Sequence, residues 1–174
     1  MMQLMLVPAD TGEDEVLIAA AARGDRGAFG ELYVRYARMV HGILLARVPP
    51  SDAEDLVQDV FLAAMKQLGG LRTANAFRGW LAAIARNRAL DYFRDARRQA
   101  AGAAGVAPPN QGAFAVLDTI RSLPEAYRET LILRLVEGMT GPEIARQTGL
   151  TPESVRVNLC RGMKMLRELL KEKP

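Results

Sequence analysis

Apolar residues recur at three- and four-residue spacings along nearly the whole chain, the period of helices that bury one stripe. The spacing predicts helices over Glu13–Arg23 and Asp25–Arg47, the second carrying Phe29, Leu32, Tyr36, Met39 and Val40 on its inner side. Pro49-Pro50 closes it, because proline cannot donate the helix hydrogen bond. Ser51-Asp-Ala-Glu54 has the form of a capping box, opening a helix that runs to Gly69-Gly70. Leu71–Ala76 reads as a short loop, and Phe77–Arg98 as a long helix rich in alanine and arginine.

The pattern then fails over Gln99–Gly112, QAAGAAGVAPPNQG, where small residues and Pro108-Pro109 offer almost nothing to bury. Such a stretch reads as a flexible linker. Beyond it, Ala113–Ser122 forms a helix, Ser122-Leu-Pro-Glu125 opens another reaching Gly138, and Thr140-Gly-Pro-Glu143 opens a short one ending near Gly149. Thr151-Pro152 opens the last helix, which runs to Lys171. No alternating strand pattern is present. The expected fold is all-α, with a first domain over 13–98, a linker over 99–112, and a second domain over 113–174.

Composition narrows the chemistry. Among 174 residues there is one cysteine, Cys160, and one histidine, His41, which excludes an intrachain disulfide framework and Cys- or His-rich metal sites. No apolar run suits a membrane span, and Met1–Pro8 lacks the basic start of a secretory signal; the expected compartment is the cytoplasm. The net charge of +3 is unevenly placed. Residues 1–71 carry 6 Lys/Arg against 10 Asp/Glu, whereas 72–98 carry 7 Arg against 2 Asp, and 150–174 carry 6 Lys/Arg against 3 Glu. Two basic segments separated by a neutral one suit a polyanion gripped at two places, since neutralised phosphates release counterions. Solvated helix faces would give the same counts.

The second domain has the layout of a helix-turn-helix: Gly141–Thr148, a turn at Gly149-Leu150, then a longer helix. Ile144 and Ala145 should pack inward, Gly149 should take the left-handed conformation, and Leu150 should plug the angle between the helices. Val155, Leu159, Gly162, Leu166 and Leu169 form the inner stripe of the last helix. Val157, Cys160, Arg161 and Lys164 fall opposite, flanked by Ser154 and Arg156, a mixture fitted to base edges and phosphates. A plain helical hairpin would share the inner stripe but not the apolar groups among cations outside. In the first domain, Phe77, Trp80, Tyr92 and Phe93 are interleaved with arginines, which could hold unstacked bases; the helical spacing of Phe77, Leu81 and Ile84 fits a core better, and Trp80 can join them there. Upstream, Asp55, Gln58, Asp59 and Leu62 share a helix face suited to a basic partner. Glu54 and Asp55 also suit the positive helix start on their own.

Taken in order, several segments resemble the extracytoplasmic-function (ECF, group 4) sigma factors of the sigma-70 family. They are Gly24-Asp-Arg-Gly-Ala-Phe29 with Leu32-Tyr33 and Tyr36, Asp52-Ala-Glu-Asp-Leu-Val-Gln-Asp-Val-Phe61, and Phe77-Arg-Gly-Trp-Leu81 with Ile84-Ala-Arg-Asn87 and Leu90-Asp-Tyr-Phe-Arg94. Leu123-Pro124, Tyr127-Arg128, Gly138, Glu143-Ile-Ala145 and Ser154-Val-Arg156 complete the set. The resemblance implies a factor, without catalysis or cofactor of its own, that binds core RNA polymerase and directs initiation at promoter DNA. It implies that the helix holding Asp55, Gln58, Asp59 and Phe61 docks on a coiled coil of the largest polymerase subunit. It implies that Leu71, Arg72, Asn75, Arg78, Trp80, Asn87, Arg88 and Arg94 serve the −10 element, with Asn87 and the Leu71–Asn75 loop holding an extruded base. Arg134, Ser154, Arg156, Val157, Cys160, Arg161 and Lys164 would serve the −35 element. An anti-sigma factor is an implied further partner.

Asn158 and Met163 stand where relatives often carry arginine, and Val157 and Cys160 differ from common choices, which implies a weaker phosphate grip and altered sequence choice. Two other readings fit parts of the chain: a sigma-like regulator or decoy that binds a regulatory protein instead of polymerase, and a nuclease using Asp52, Glu54, Asp55 and Asp59. The decoy would lack one of the two candidate surfaces. The nuclease would need a second carboxylate cluster that the chain does not supply.

Overall fold

The computed structural model describes residues 11–100 and 115–171. Eight α-helices follow in order: α1 Thr11–Ala22, α2 Arg26–Leu45, α3 Pro50–Gln67, α4 Phe77–Ala100, α5 Ala115–Ser122, α6 Glu125–Leu135, α7 Gly141–Thr148 and α8 Pro152–Lys171. Single 3-10 turns at Leu68–Gly70 and Ala74–Ala76 occupy much of the expected loop before α4. No strand occurs among the described residues, so the all-α expectation holds. Helix α4 overruns the expected linker start as far as Ala100, and 101–112 of the expected linker lie outside the described residues.

The helix ends show which capping signals act. Asp25 caps α2, its carboxylate accepting from the Gly27 and Ala28 amides. Thr140 and Glu143 make the expected reciprocal capping box on α7, and Thr151 accepts from the Ser154 amide at 3.1 Å before α8. The boxes expected at Ser51 and Ser122 do not form. Helix α3 already begins at Pro50, and Ser122 ends α5, its hydroxyl donating to the Thr119 carbonyl. Pro50 opens α3 at its first position, where its fixed φ suits the first turn, and Pro124 stands immediately before α6. Helix α2 stops at Leu45 rather than Arg47, and α6 stops at Leu135 with Gly138 at φ +65° in the following turn.

The core is continuous across the two helical domains. Leu32, Tyr36, Met39, Val40, Ile43 and Leu44 on α2 are fully buried, as are Val60 and Ala64 on α3 and Leu81, Ala82 and Ala85 on α4. The same cluster takes in Ile120, Leu131, Ile132 and Leu166 from α5, α6 and α8, with Leu123 between α5 and α6. From Met39 to Ala46, α2 is buried around most of its circumference except at His41, because α6 covers what would otherwise be its outer side. Gly42 makes that crossing possible: a Cβ there would stand 2.5 Å from Leu133 Cδ2. A second small cluster of Leu133, Met139, Ile144, Ala145 and Val155 lies under the helix-turn-helix.

Candidate functional site

The α3 surface is acidic and open. Asp55, Gln58 and Asp59 are exposed and make no side-chain hydrogen bond or ion pair within the described chain, and Leu62 beside them is 52% exposed. Helix α3 is held by its other side, where Val57, Val60, Phe61 and Ala64 are buried and Asp52 accepts a hydrogen bond from the Tyr92 hydroxyl at 2.9 Å. Phe61 departs from its expected contact role. It is 3% exposed and stacks near Phe29 and Tyr33, with ring centroids 6.2 and 4.6 Å away. Its ring fixes the helix that carries the acidic face.

The second surface runs from the 3-10 turns along α4. Arg72, Asn75, Asn87 and Arg94 are exposed, and Leu71, Trp80 and Arg88 are half-buried. Trp80 packs beside the buried Phe77 at a centroid distance of 5.8 Å and keeps part of its ring exposed. Arg94 is paired with Asp91 on its own helix. Arg78 is held inside: its Nε donates to Tyr36 Oη at 3.1 Å, its Nη2 to Asp14 at 3.3 Å, and its Nη1 to the Arg146 carbonyl at 2.9 Å. Asp14 is 3% exposed and also accepts from Arg35 at 2.6 Å and from the Tyr36 hydroxyl. Burial, with the Asp14 bond, pushes the Tyr36 phenol up to about 12, so it remains a donor. A small pocket of about 30 Å³, lined by Asp14, Tyr36, Asn75 and Arg78 among others, opens here.

The third surface is the outer side of α8. Gly149 takes the left-handed conformation at φ +76° and turns the chain from α7 into α8. Ile144, Ala145, Val155, Gly162 and Leu166 face inward as expected. Leu150 does not plug the angle; it is 38% exposed, and the buried Thr148, Val155 and Met139 lie inside instead. Ser154 and Val157 are half-buried, whereas Arg156, Cys160, Arg161 and Lys164 are exposed. Arg161 and Lys164 have no partner among the described residues; Arg156 makes one loose contact with Glu153 at 3.5 Å. Asn158 is half-buried at the edge of the core stripe. Arg134 is exposed and donates to the Met139 carbonyl, bracing the turn before α7.

Comparison with known proteins gives these surfaces a family. Residues 32–99 match the model of Sigma-70 region 2, and residues 113–166 match Sigma-70, region 4. The chain belongs to the ECF sigma factors of the sigma-70 family. RNA polymerase sigma factor CnrH of Cupriavidus metallidurans is 33% identical, over 90% of this chain and 94% of its own. CarQ of Myxococcus xanthus is 34% identical, over 86% and 92%, and the ECF sigma-E factor of Escherichia coli K12 is 30% identical, over 86% and 90%. The structure of CnrH in complex with the cytosolic domain of CnrY superposes with a TM-score of 0.62 at 30% identity, covering 93% of this chain and 99% of that one. The sigma factor therefore binds core RNA polymerase and directs promoter-specific initiation. The relatives it matches are initiation factors rather than enzymes. Among the described residues there is no cluster of three or more metal-binding side chains, and no helix is long and apolar enough to cross a membrane.

Sequence reasoning missed two sets of buried charges. One is Asp14 with Arg35 and Arg78, where a carboxylate on α1 meets cations of α2 and α4. The other joins the domains: Glu129, 6% exposed, accepts from Arg47 at 2.8 Å and from Arg86 at 2.7 Å. Arg47 also pairs with Glu125, and His41 Nδ1 lies 2.7 Å from Glu137. A signal for the second set was present in Glu129-Thr-Leu-Ile-Leu133, an acid leading an apolar run too broad for one helix face.

Proposed function

We propose that the three surfaces divide the work of initiation. Asp55, Gln58 and Asp59 meet a basic coiled-coil surface of polymerase; Arg72, Asn75, Asn87 and Arg88 capture the opened −10 strand; and Arg156, Arg161 and Lys164 hold the −35 duplex. The observation that carries this reading is that the acidic residues of α3 and the cations of α8 stand exposed and largely unpartnered at separate sites. Unpaired charge of opposite sign on two faces suits two partners, one basic and one polyanionic. Melting costs stacking energy, and a basic surface with flat side chains offsets it by holding the bases out. The domains run over 13–98 and 113–174, joined by 99–112.

Nucleotidyl transfer belongs to the polymerase, and the working compartment is the cytoplasm, where polymerase and promoter meet. An anti-sigma factor is a further partner, supported by the similarity to CnrH, whose solved structure is a complex with CnrY. Asp59→Arg tests the docking face, because the substitution sets a cation against a basic surface while leaving a solvent-exposed position otherwise unstrained. Capture of core polymerase should fall at least about tenfold, or about 1.4 kcal/mol, with helical content intact. Undiminished capture by the folded variant refutes the assignment.

A further inference from the structure

The Ala74–Ala76 turn carries Asn75, yet little within the turn holds it in place. Thr73 makes no side-chain cap, and the side chains of Arg72, Thr73 and Asn75 bond to nothing among the described residues. The backbone closes through local bonds, the Ala76 amide to the Thr73 carbonyl at 3.1 Å and the Phe77 amide to the Ala74 carbonyl. Such bonds shape a turn without fixing where it stands. Its place comes from α1, which packs against this turn and the Leu68–Gly70 turn before it. Asp14, Glu15 and Ile18 of α1 line the small pocket together with Ala74 and Asn75.

Helix α1 has an unusual anchor. Asp14 and Ile18, one turn apart, are its buried residues, so a carboxylate stands where an apolar side chain would ordinarily hold a surface helix. Desolvation offsets most of what pairing a buried charge gains, and geometry is what remains. Here the geometry has a direction. Arg78 is the second residue of α4, two positions past the turn, and its guanidinium fork reaches back to Tyr36 Oη at 3.1 Å and to Asp14 at 3.3 Å. Arg35 of α2 holds the other carboxylate oxygen at 2.6 Å. One carboxylate thus ties α1 to α2 and to the start of α4, with the turn packed against both α1 and α4.

We infer that Asp14 and Arg78 are positioning residues for −10 recognition: their bond sets the Ala74–Ala76 turn, and with it Asn75, where the opened base is held, and Arg78 does this without touching DNA. The inference rests on the assignment of this turn to the −10 element. A side chain that reads a base loses discrimination when it stands about 1 Å out of place. A loosened α1 therefore blurs base choice at one position and leaves the α3 and α8 surfaces as they are.

Two variants act on the bond without removing a positive charge. Asp14→Asn replaces a carboxylate oxygen with an amide donor that faces other donors, and Arg78→Lys keeps the cation but cannot reproduce the planar fork. Acting on DNA through charge alone, the first would tighten the grip and the second would leave it unchanged. The assay takes holoenzyme, assembled from core polymerase and the full-length factor, and offers it duplexes randomised over the −10 and −35 elements; open complexes are captured and sequenced. Both variants, and Asn75→Ala, should lose base preference at the same −10 position by at least about fivefold, with −35 preferences and capture of core polymerase unchanged. The double variant should lose no more than either single one, because the two residues share one bond. A smaller folded fraction lowers every count alike and keeps the pattern of preference, so instability does not imitate this result. Preference retained in both variants while Asn75→Ala flattens the position overturns the inference alone. Retention in all three overturns the −10 assignment of the turn as well. Losses spread evenly over both elements, or adding up in the double variant, also overturn the inference.

Discussion

Asp14 offers the sharpest test of how the first domain is held together. Its carboxylate, 3% exposed, accepts from the Arg35 guanidinium at 2.6 Å, the Arg78 guanidinium at 3.3 Å and the Tyr36 hydroxyl. Asp14→Ala leaves two cations and a buried phenol facing an empty site. Removing one partner of a buried ionic cluster costs about 3–5 kcal/mol. The Arg35 and Arg78 side chains retain 13% and 19% exposure, so water partly solvates them, and the lower end, about 3 kcal/mol, applies. For a chain of this size each kcal/mol lowers Tm by about 2–4 °C, giving a fall of about 6–12 °C. Asp14→Asn keeps an acceptor and should lose about half as much. Far-UV circular dichroism melts measure both. If Asp14→Ala melts within about 2 °C of the wild-type protein, α1 is not anchored through this carboxylate.

Two further outcomes follow from the interdomain and intradomain packing. His41 is raised from its ordinary value by its hydrogen bond to Glu137, with Glu54 of α3 adding attraction and burial opposing it; Arg38 of α2 reaches the Glu137 carbonyl nearby. Because the folded value lies above the unfolded one, its contribution is full below about pH 6.5 and is lost as pH rises through the raised value. Hydrogen exchange along α2 and α6 should therefore quicken on the alkaline side, by an amount equivalent to about 1 kcal/mol or less; a His41→Gln variant showing the same pH profile would refute this. At Gly162 an added Cβ would meet Leu131 Cδ1 at 3.0 Å and Tyr127 Cβ at 3.1 Å. Gly162→Val should cost about 2 kcal/mol by overpacking and lower Tm by about 4–8 °C, and an unchanged melt would show that α6 and α8 separate easily.

Much of this was readable in the residues. Three- and four-residue spacing placed every helix, and Thr140 with Glu143 marked the start of α7 to the residue, because their capping bonds are local. Gly149 was legible for the same reason: the turn needs a positive φ there. The boxes at Ser51 and Ser122 misled, since Pro50 and Pro124 mark the helix starts instead. The exposed residues of the α3 and α8 faces were found by helical spacing, but Phe61 shared its motif with them and points inward. What spacing could not show was pairing across long stretches of chain. Asp14 with Arg78, and Glu129 with Arg47 and Arg86, are separated by 43 to 82 residues, and nothing local to either partner announces the other.

Helix α6 has one consequence of its own. It turns Leu131 toward Gly162 of α8 and Leu133 toward Gly42 of α2, and its residues from Glu129 to Leu133 are all buried. Each substitution there is therefore felt by two neighbours at once. A substitution that wedges α6 from α2 would wet the apolar surface around Ile43 and Leu133, and such patches invite self-association.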